Sequence, residues 1–207
     1  MLYSKNELLD EVIDASSSVL FYGVAGAGKT TLMLTIASNL CNIYTCIYIT
    51  TEDTSHYEHV ARHPEKFEKA LFTEAYDLDT LVKVAFASSL IKPHYIFIDS
   101  VNALFRVEAL KEGALAKYAF VVGFLLNLVS EVKGKLFASA QVRTGESGEL
   151  EVSGFKVLDY YFDTIIGVFI ESTGVRFIKP IKTPIKPLFD KLYFRITDEG
   201  VHWIEHA

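Results

Sequence analysis

The chain has 207 residues, half of them apolar, and a net charge of −6. That length suits one substantial core, so a single domain is expected over 1–207, with 1–16 as a short N-terminal helix or extension. The acidic balance excludes blanket attraction to nucleic acid, acids within "MLYSKNELLDEVIDASSSVL" exclude a signal peptide, and no run reaches the ~18 uncharged apolar residues of a membrane span.

From the amino end, β-branched and aromatic runs alternate with helical patterns. Strands are expected at "VLFY" (19–22), "YTCIYIT" (44–50), "ALFTEA" (70–75), "YIFID" (95–99) and "KLFASA" (135–140), with helices at 29–40, 55–69, 79–91 and 113–133. This βαβ rhythm predicts an α/β fold with a mostly parallel sheet flanked by helices. After residue 157 the rhythm changes: "TIIGVFIES", "VRFIKPI", "LYFRIT" and "GVHWIEH" read as antiparallel C-terminal strands. The polar, Gly-rich stretch 142–154, "VRTGESGELEVSG", is the expected mobile loop. Positions 119–129 are apolar on every side except Asn127, so that helix is either deeply buried or offers a face to a partner. Cys41 and Cys46 lie in or beside elements that read as buried, with neither a disulfide framework nor metal-ligand spacing. A reducing, cytoplasmic setting is therefore expected.

Three stretches carry chemistry. Gly23-Val24-Ala25-Gly26-Ala27-Gly28-Lys29-Thr30 matches G-x-x-x-x-G-K-[ST] between an expected strand and an expected helix. Glycines let the backbone wrap an anion with its N–H groups inward, and the helix amino end adds partial positive charge. Lys29 is placed to reach β- and γ-phosphates and Thr30 to offer Mg²⁺ a hydroxyl, with Thr31 beside it in the nucleotide-binding set. The bland alternative is a glycine-rich βα turn with an incidental lysine. "HYIFIDS" ends an apolar run with Asp99 at the carboxyl edge of a strand, where it can hold the magnesium directly or through water. Thr51-Glu52-Asp53 follows another strand; these acids either orient water for attack on a γ-phosphate or favour a helix start together with a Ser55–Glu58 capping box.

The order of Gly23 to Thr30, "YITTED", "IFIDSVNALFRVEALKEGALA", "SAQV" and "YFRITDEGV" resembles the ATPase core of the archaeal RadA and RadB recombinases, within the RecA superfamily, over roughly residues 17 to 204. The resemblance implies a RecA-like P-loop NTPase core using ATP and Mg²⁺ in recombinational DNA repair. It assigns phosphate and Mg²⁺ binding to Lys29 and Thr30, the magnesium carboxylate to Asp99, and activation of the attacking water to Glu52. Gln141 matches the glutamine that senses the γ-phosphate and signals to the second DNA loop, and His59 falls where an arginine stacks on adenine.

The departures from the family bear on function. The first DNA loop carries Lys111-Glu112-Gly113 in place of a Gly-Arg-Gly type turn, and a carboxylate there repels phosphate. The second, 142–156, sets Arg143 and Lys156 against Glu146, Glu149 and Glu151, with Phe155 as its one evident stacking aromatic. Weak binding of single-stranded DNA is expected. "MLYSKNELLDEVIDASSS" shows no F-x-x-A plug, so the chain resembles the small paralogues that have only the core, and a RadA-type recombinase or another paralogue is the expected partner. The stretch 175–191 offers Arg176, Lys179, Lys182, Lys186 and Lys191 against Asp190. It either reaches a neighbouring subunit's nucleotide or is an edge strand guarded by lysines.

Overall fold

A computed structural model of the chain describes residues 2–52, 56–144 and 150–204. Asp53, Ser55, Glu146 and Glu149, which figured in the expectations above, lie outside them. In chain order the elements are α1 (Glu7–Asp14), β1 (Ser18–Gly23), α2 (Lys29–Leu40), β2 (Cys46–Thr50), α3 (His56–Arg62), a 3₁₀ turn (Pro64–Phe67), β3 (Ala70–Glu74), α4 (Leu78–Ser88), β4 (Tyr95–Asp99), α5 (Ala103–Glu108), α6 (Ala114–Ser130), β5 (Lys135–Thr144), β6 (Leu150–Val152), α7 (Phe155–Tyr161), β7 (Thr164–Ile170), β8 (Arg176–Lys182), β9 (Leu192–Thr197) and β10 (Gly200–Ile204).

Among the described residues the strands form one sheet in the order β10-β9-β8-β7-β1-β5-β4-β2-β3, with β6 hydrogen-bonded to the end of β5. From β7 to β3 every neighbouring pair is parallel; β7 to β10 pair antiparallel. The α/β architecture with antiparallel C-terminal strands therefore stands as the sequence predicts. Alternation along the strands divides the core into two layers. Val19, Phe21, Tyr48, Phe97 and Phe137 pack with α1 and α2 on one face. Leu20, Ile47, Ile96, Ile98 and Leu136 pack with α4, α5, α6 and α7 on the other. A parallel sheet must be covered on both faces, and its strands read as nearly unbroken apolar runs for that reason.

Several expectations need correction. The helix expected over 55–69 is divided, because Pro64 disfavours helical backbone at His63 and cannot donate within a helix. The loop expected over 142–154 is, where described, a hairpin: Val142 and Arg143 on β5 lie opposite Val152 and Glu151 on β6. Cys41, capping α2, and Cys46, opening β2, form a disulfide across the intervening turn, with 5.6 Å between their Cα atoms. Chain reversal brings together two residues whose spacing had suggested no pairing. β8 is not simply an edge strand either: Arg176 to Ile178 pair with both β7 and β9, whereas Lys179 to Lys182 pair with β7 alone. Pro180 sits in that one-sided half beside a register shift, where a missing N–H is tolerated. α6 is buried through Tyr118, Val121, Val122, Leu125 and Val129, yet Phe120 stays 42% exposed, in ring contact with Phe86 of α4.

Phe137 lies at the centre of the first layer, fully buried and stacked on Phe97 with ring centroids 5.0 Å apart. Its removal leaves a cavity that the sheet cannot close. Phe137→Ala is expected to cost about 3–5 kcal/mol of unfolding free energy, read as a lowered midpoint in urea with an unchanged slope.

Candidate functional site

The site forms where the parallel strands end. Register alone sets Gly23 opposite Gln141 and Thr50 opposite Asp99, so the glycine loop, the strand-end aspartate and the candidate water-orienting glutamate share one edge of the sheet. Gly23 lies so close to β7 that an added Cβ would meet the carbonyl oxygen of Val168 at 2.1 Å. Gly28 caps α2 at φ +103, in the left-handed region that side chains avoid. Beyond it, Lys29 turns back over the loop, and its ammonium donates to the carbonyls of Gly23 and Val24, both at 2.9 Å. Lys29 is only 7% exposed. Burial pulls its pKa down, and the negative charges of Asp99 and Glu52 oppose that shift.

Asp99 is held at both oxygens, by the Tyr48 hydroxyl at 3.1 Å and by the Ser139 hydroxyl. Burial, reinforced by the Asp99 charge, pushes the Tyr48 phenol well up, so Tyr48 serves the carboxylate as a donor. Glu52, two residues past β2, accepts from Ser100 Oγ at 2.9 Å, Gln141 Nε2 at 2.7 Å and Arg106 Nη2 at 3.2 Å. The backbone beneath is fixed by side chains. Thr51 Oγ1 donates to the Ser100 carbonyl at 2.6 Å and accepts from the Ser100 N–H at 3.0 Å. Asn102 bonds both backbone groups of Gln141, at 2.9 and 3.0 Å.

These groups surround a cavity of about 310 Å³. Of the residues singled out in the sequence, Ala25, Gly26, Gly28, Lys29, Thr30, Thr31, Glu52, Asp99 and Gln141 line it. Gly23, Val24 and Ala27 do not line it: the Gly23 and Val24 carbonyls accept from Lys29, and Ala27 is fully buried. His59 does not line the cavity. Its ring meets His63 and Phe67, at 6.1 and 6.4 Å between centroids, and burial together with neighbouring cationic groups lowers its pKa. The sequence reading missed Ser139 and Ile196, which also line the cavity. It also missed Arg106 on α5, and it placed Arg176 in the basic stretch without foreseeing that its guanidinium reaches the Gly26 carbonyl of the same chain at 3.3 Å. Ser139, Arg106 and Ile196 lie within stretches that carry the resemblance, but no site role attached to them there; the four arrive from separate strands and a helix.

The donors near Lys29 are oxygens: the Thr30 and Ser139 hydroxyls and the Asp99 carboxylate. Among the described residues no cluster of three or more His, Cys, Asp or Glu could enclose a metal by itself. This set fits magnesium, which keeps water and takes phosphate oxygens beside one or two protein ligands.

The family model of AAA, ATPases associated with various cellular activities, matches residues 19–146, from β1 to the end of β5. The chain belongs to the AAA family. The AAA match thus covers the glycine loop, Glu52, Asp99 and Gln141, and stops before the antiparallel strands. Over 191 residues the chain is also 24% identical to the DNA repair protein RadA of Pseudomonas aeruginosa, an alignment covering 89% of this chain and 40% of that protein. The chain therefore spans less than half the length of this relative. Among the described residues no helix is long and apolar enough to cross a membrane.

In this AAA domain a methyl group at residue 28 would force a left-handed side chain, costing about 1–2 kcal/mol, and would press on Ile196 Cδ1 at 3.1 Å. Gly28→Ala is expected to weaken ATP binding about tenfold, measured by calorimetry with Mg²⁺ present.

Proposed function

We propose that this chain hydrolyses ATP as a RadA-paralogue type of ATPase that assists homologous recombination and DNA repair, either by modulating a main recombinase or by binding single-stranded DNA weakly. The convergence of Lys29, Thr30, Asp99, Glu52 and Gln141 on one cavity carries the hydrolytic part of this reading. The RadA alignment, which extends past the AAA match into the antiparallel strands, supports the repair part.

In this mechanism the N–H groups of the glycine loop and the amino end of α2 receive the phosphates. Lys29 exchanges its two carbonyl acceptors for β- and γ-phosphate oxygens. Thr30 and Asp99 would hold Mg²⁺, which would supply positive charge against that developing on those oxygens. Glu52 orients the attacking water and accepts its proton as the water oxygen bonds to the γ-phosphorus and the bond to the β–γ bridging oxygen breaks. Gln141, bonded to Glu52 and carried on the strand that enters the β5–β6 hairpin, reports the state of the γ-phosphate to that hairpin.

Removing the cation or the base should abolish turnover by different routes. Lys29→Ala is expected to lose ATP binding, whereas Glu52→Gln keeps binding and loses about 10²-fold or more in kcat; equal ATPase rates in wild type and both variants would remove the hydrolytic assignment.

A second reading, a nucleotide-switched adaptor that does not touch DNA, draws on the cations of the two expected DNA loops. Arg143 is engaged by Glu151 at 3.0 Å, and Lys111 by Glu108 at 3.2 Å. Fluorescence anisotropy with single-stranded oligonucleotide across a salt series separates the two. Micromolar affinity with a steep salt slope is expected for the first reading, and no binding at low salt for the second.

A further inference from the structure

We infer that Arg106 is a positioning residue that restrains Glu52, keeping hydrolysis slow until a phosphodiester strand engages the segments beside α5 and draws the guanidinium away. This inference rests on the ATPase reading above. Its starting point is the count of acceptor sites on Glu52. Oε2 already receives Ser100 Oγ and Gln141 Nε2, and Oε1 receives Arg106 Nη2. A carboxylate offers about four lone-pair sites, and three are spent on protein donors. The guanidinium contact at 3.2 Å also fixes the direction in which Oε1 points. Arg106 reaches Gln141 Oε1 as well, at 3.4 Å, so one cation touches both partners that the mechanism needs to move.

α5 is built to relay a displacement. Phe105, next to Arg106 in sequence, stacks on Tyr118 of α6, with centroids 4.7 Å apart and planes within 10°. Both rings lie against Gly154, where an added Cβ would meet Tyr118 at 2.6 Å and Phe105 at 3.2 Å. Gly154 caps α7 immediately after the β5–β6 hairpin, and α5 runs directly into Lys111 and Gly113 ahead of α6. A shift of either the hairpin base or the α5–α6 turn is therefore felt at Phe105, one residue from the guanidinium. The Arg106 side chain is 37% exposed, within reach of an incoming phosphate that would compete for it by bidentate hydrogen bonding.

The test is steady-state ATPase at saturating Mg²⁺-ATP, with and without oligo(dT), on wild type, Arg106→Gln and Arg106→Lys. ATP affinity is read separately by fluorescent-nucleotide titration, and folding by thermal denaturation. Arg106→Gln is expected to raise kcat without DNA by about threefold or more, leave ATP affinity within twofold, and show little further stimulation by oligo(dT). Arg106→Lys retains the charge and is expected to fall back toward wild type. A fall in kcat for Arg106→Gln at unchanged affinity would overturn the proposal, because the arginine would then be assisting Glu52. So would a kcat equal to wild type. Should Arg106→Gln fail to fold, wild type alone decides: added salt screens the pair, so kcat at saturating ATP is expected to rise with ionic strength, and a flat or falling profile overturns the restraint. Absence of ATP binding by wild type would instead defeat the ATPase reading itself, a failure visible in the nucleotide titration alone.

Discussion

A cation taken almost wholly out of water must be compensated, and in this chain that cation is the ammonium of Lys29. Its two carbonyl partners belong to the loop it helps to form, and the two carboxylates that oppose its desolvation, Asp99 and Glu52, come from the ends of other strands. The arrangement holds together only if the loop curls tightly and the strands end level. Gly28 in the left-handed region and Gly23 pressed against β7 meet the first condition. Parallel register meets the second. The fold thus keeps a positive charge ready for an anion, with burial offset in part before any ligand arrives.

The same sheet edge distributes chemistry according to stiffness. Groups that must stay still, such as Asp99 with Tyr48 and Ser139, are held by hydrogen bonds between strands packed on both faces. The groups to which the proposed mechanism gives moving roles lie one step outward. Glu52 is past the end of β2, Arg106 is on a six-residue helix, and Gln141 is on the strand that continues into the hairpin. The antiparallel strands β8 and β9 add support from behind the loop through Arg176, Phe194 and Ile196. This portion lies beyond the stretch matched by the AAA family, yet it touches the glycine loop directly.

Legibility from sequence followed how local each determinant is. α2 occupies 29–40 as its pattern indicates, and β4 occupies 95–99, because an unbroken apolar run ending in a polar residue has few other uses in a covered sheet. The glycine loop was readable because its backbone demands are met by particular residue types at fixed spacing. His59 illustrates the reverse. Resemblance to the recombinases implied a stacking role for it, but its ring faces His63 and Phe67, a placement set by how α3 and the 3₁₀ turn pack. The Cys41–Cys46 bond was equally hidden, since the turn that closes it has no distinctive composition.

By itself, the sequence determined the alternation of strands and helices, the anion-wrapping loop and the carboxylate at the end of β4. Each of these depends on interactions between residues near one another along the chain. Only the tertiary structure decided that Arg106 would meet Glu52 and Gln141, that Arg143 would be spent on Glu151, and that Arg176 would brace the loop at Gly26. Such pairings depend on strand order and on helix placement over the sheet. Charged side chains with several potential partners acquire a specific one only when packing has fixed where each backbone lies.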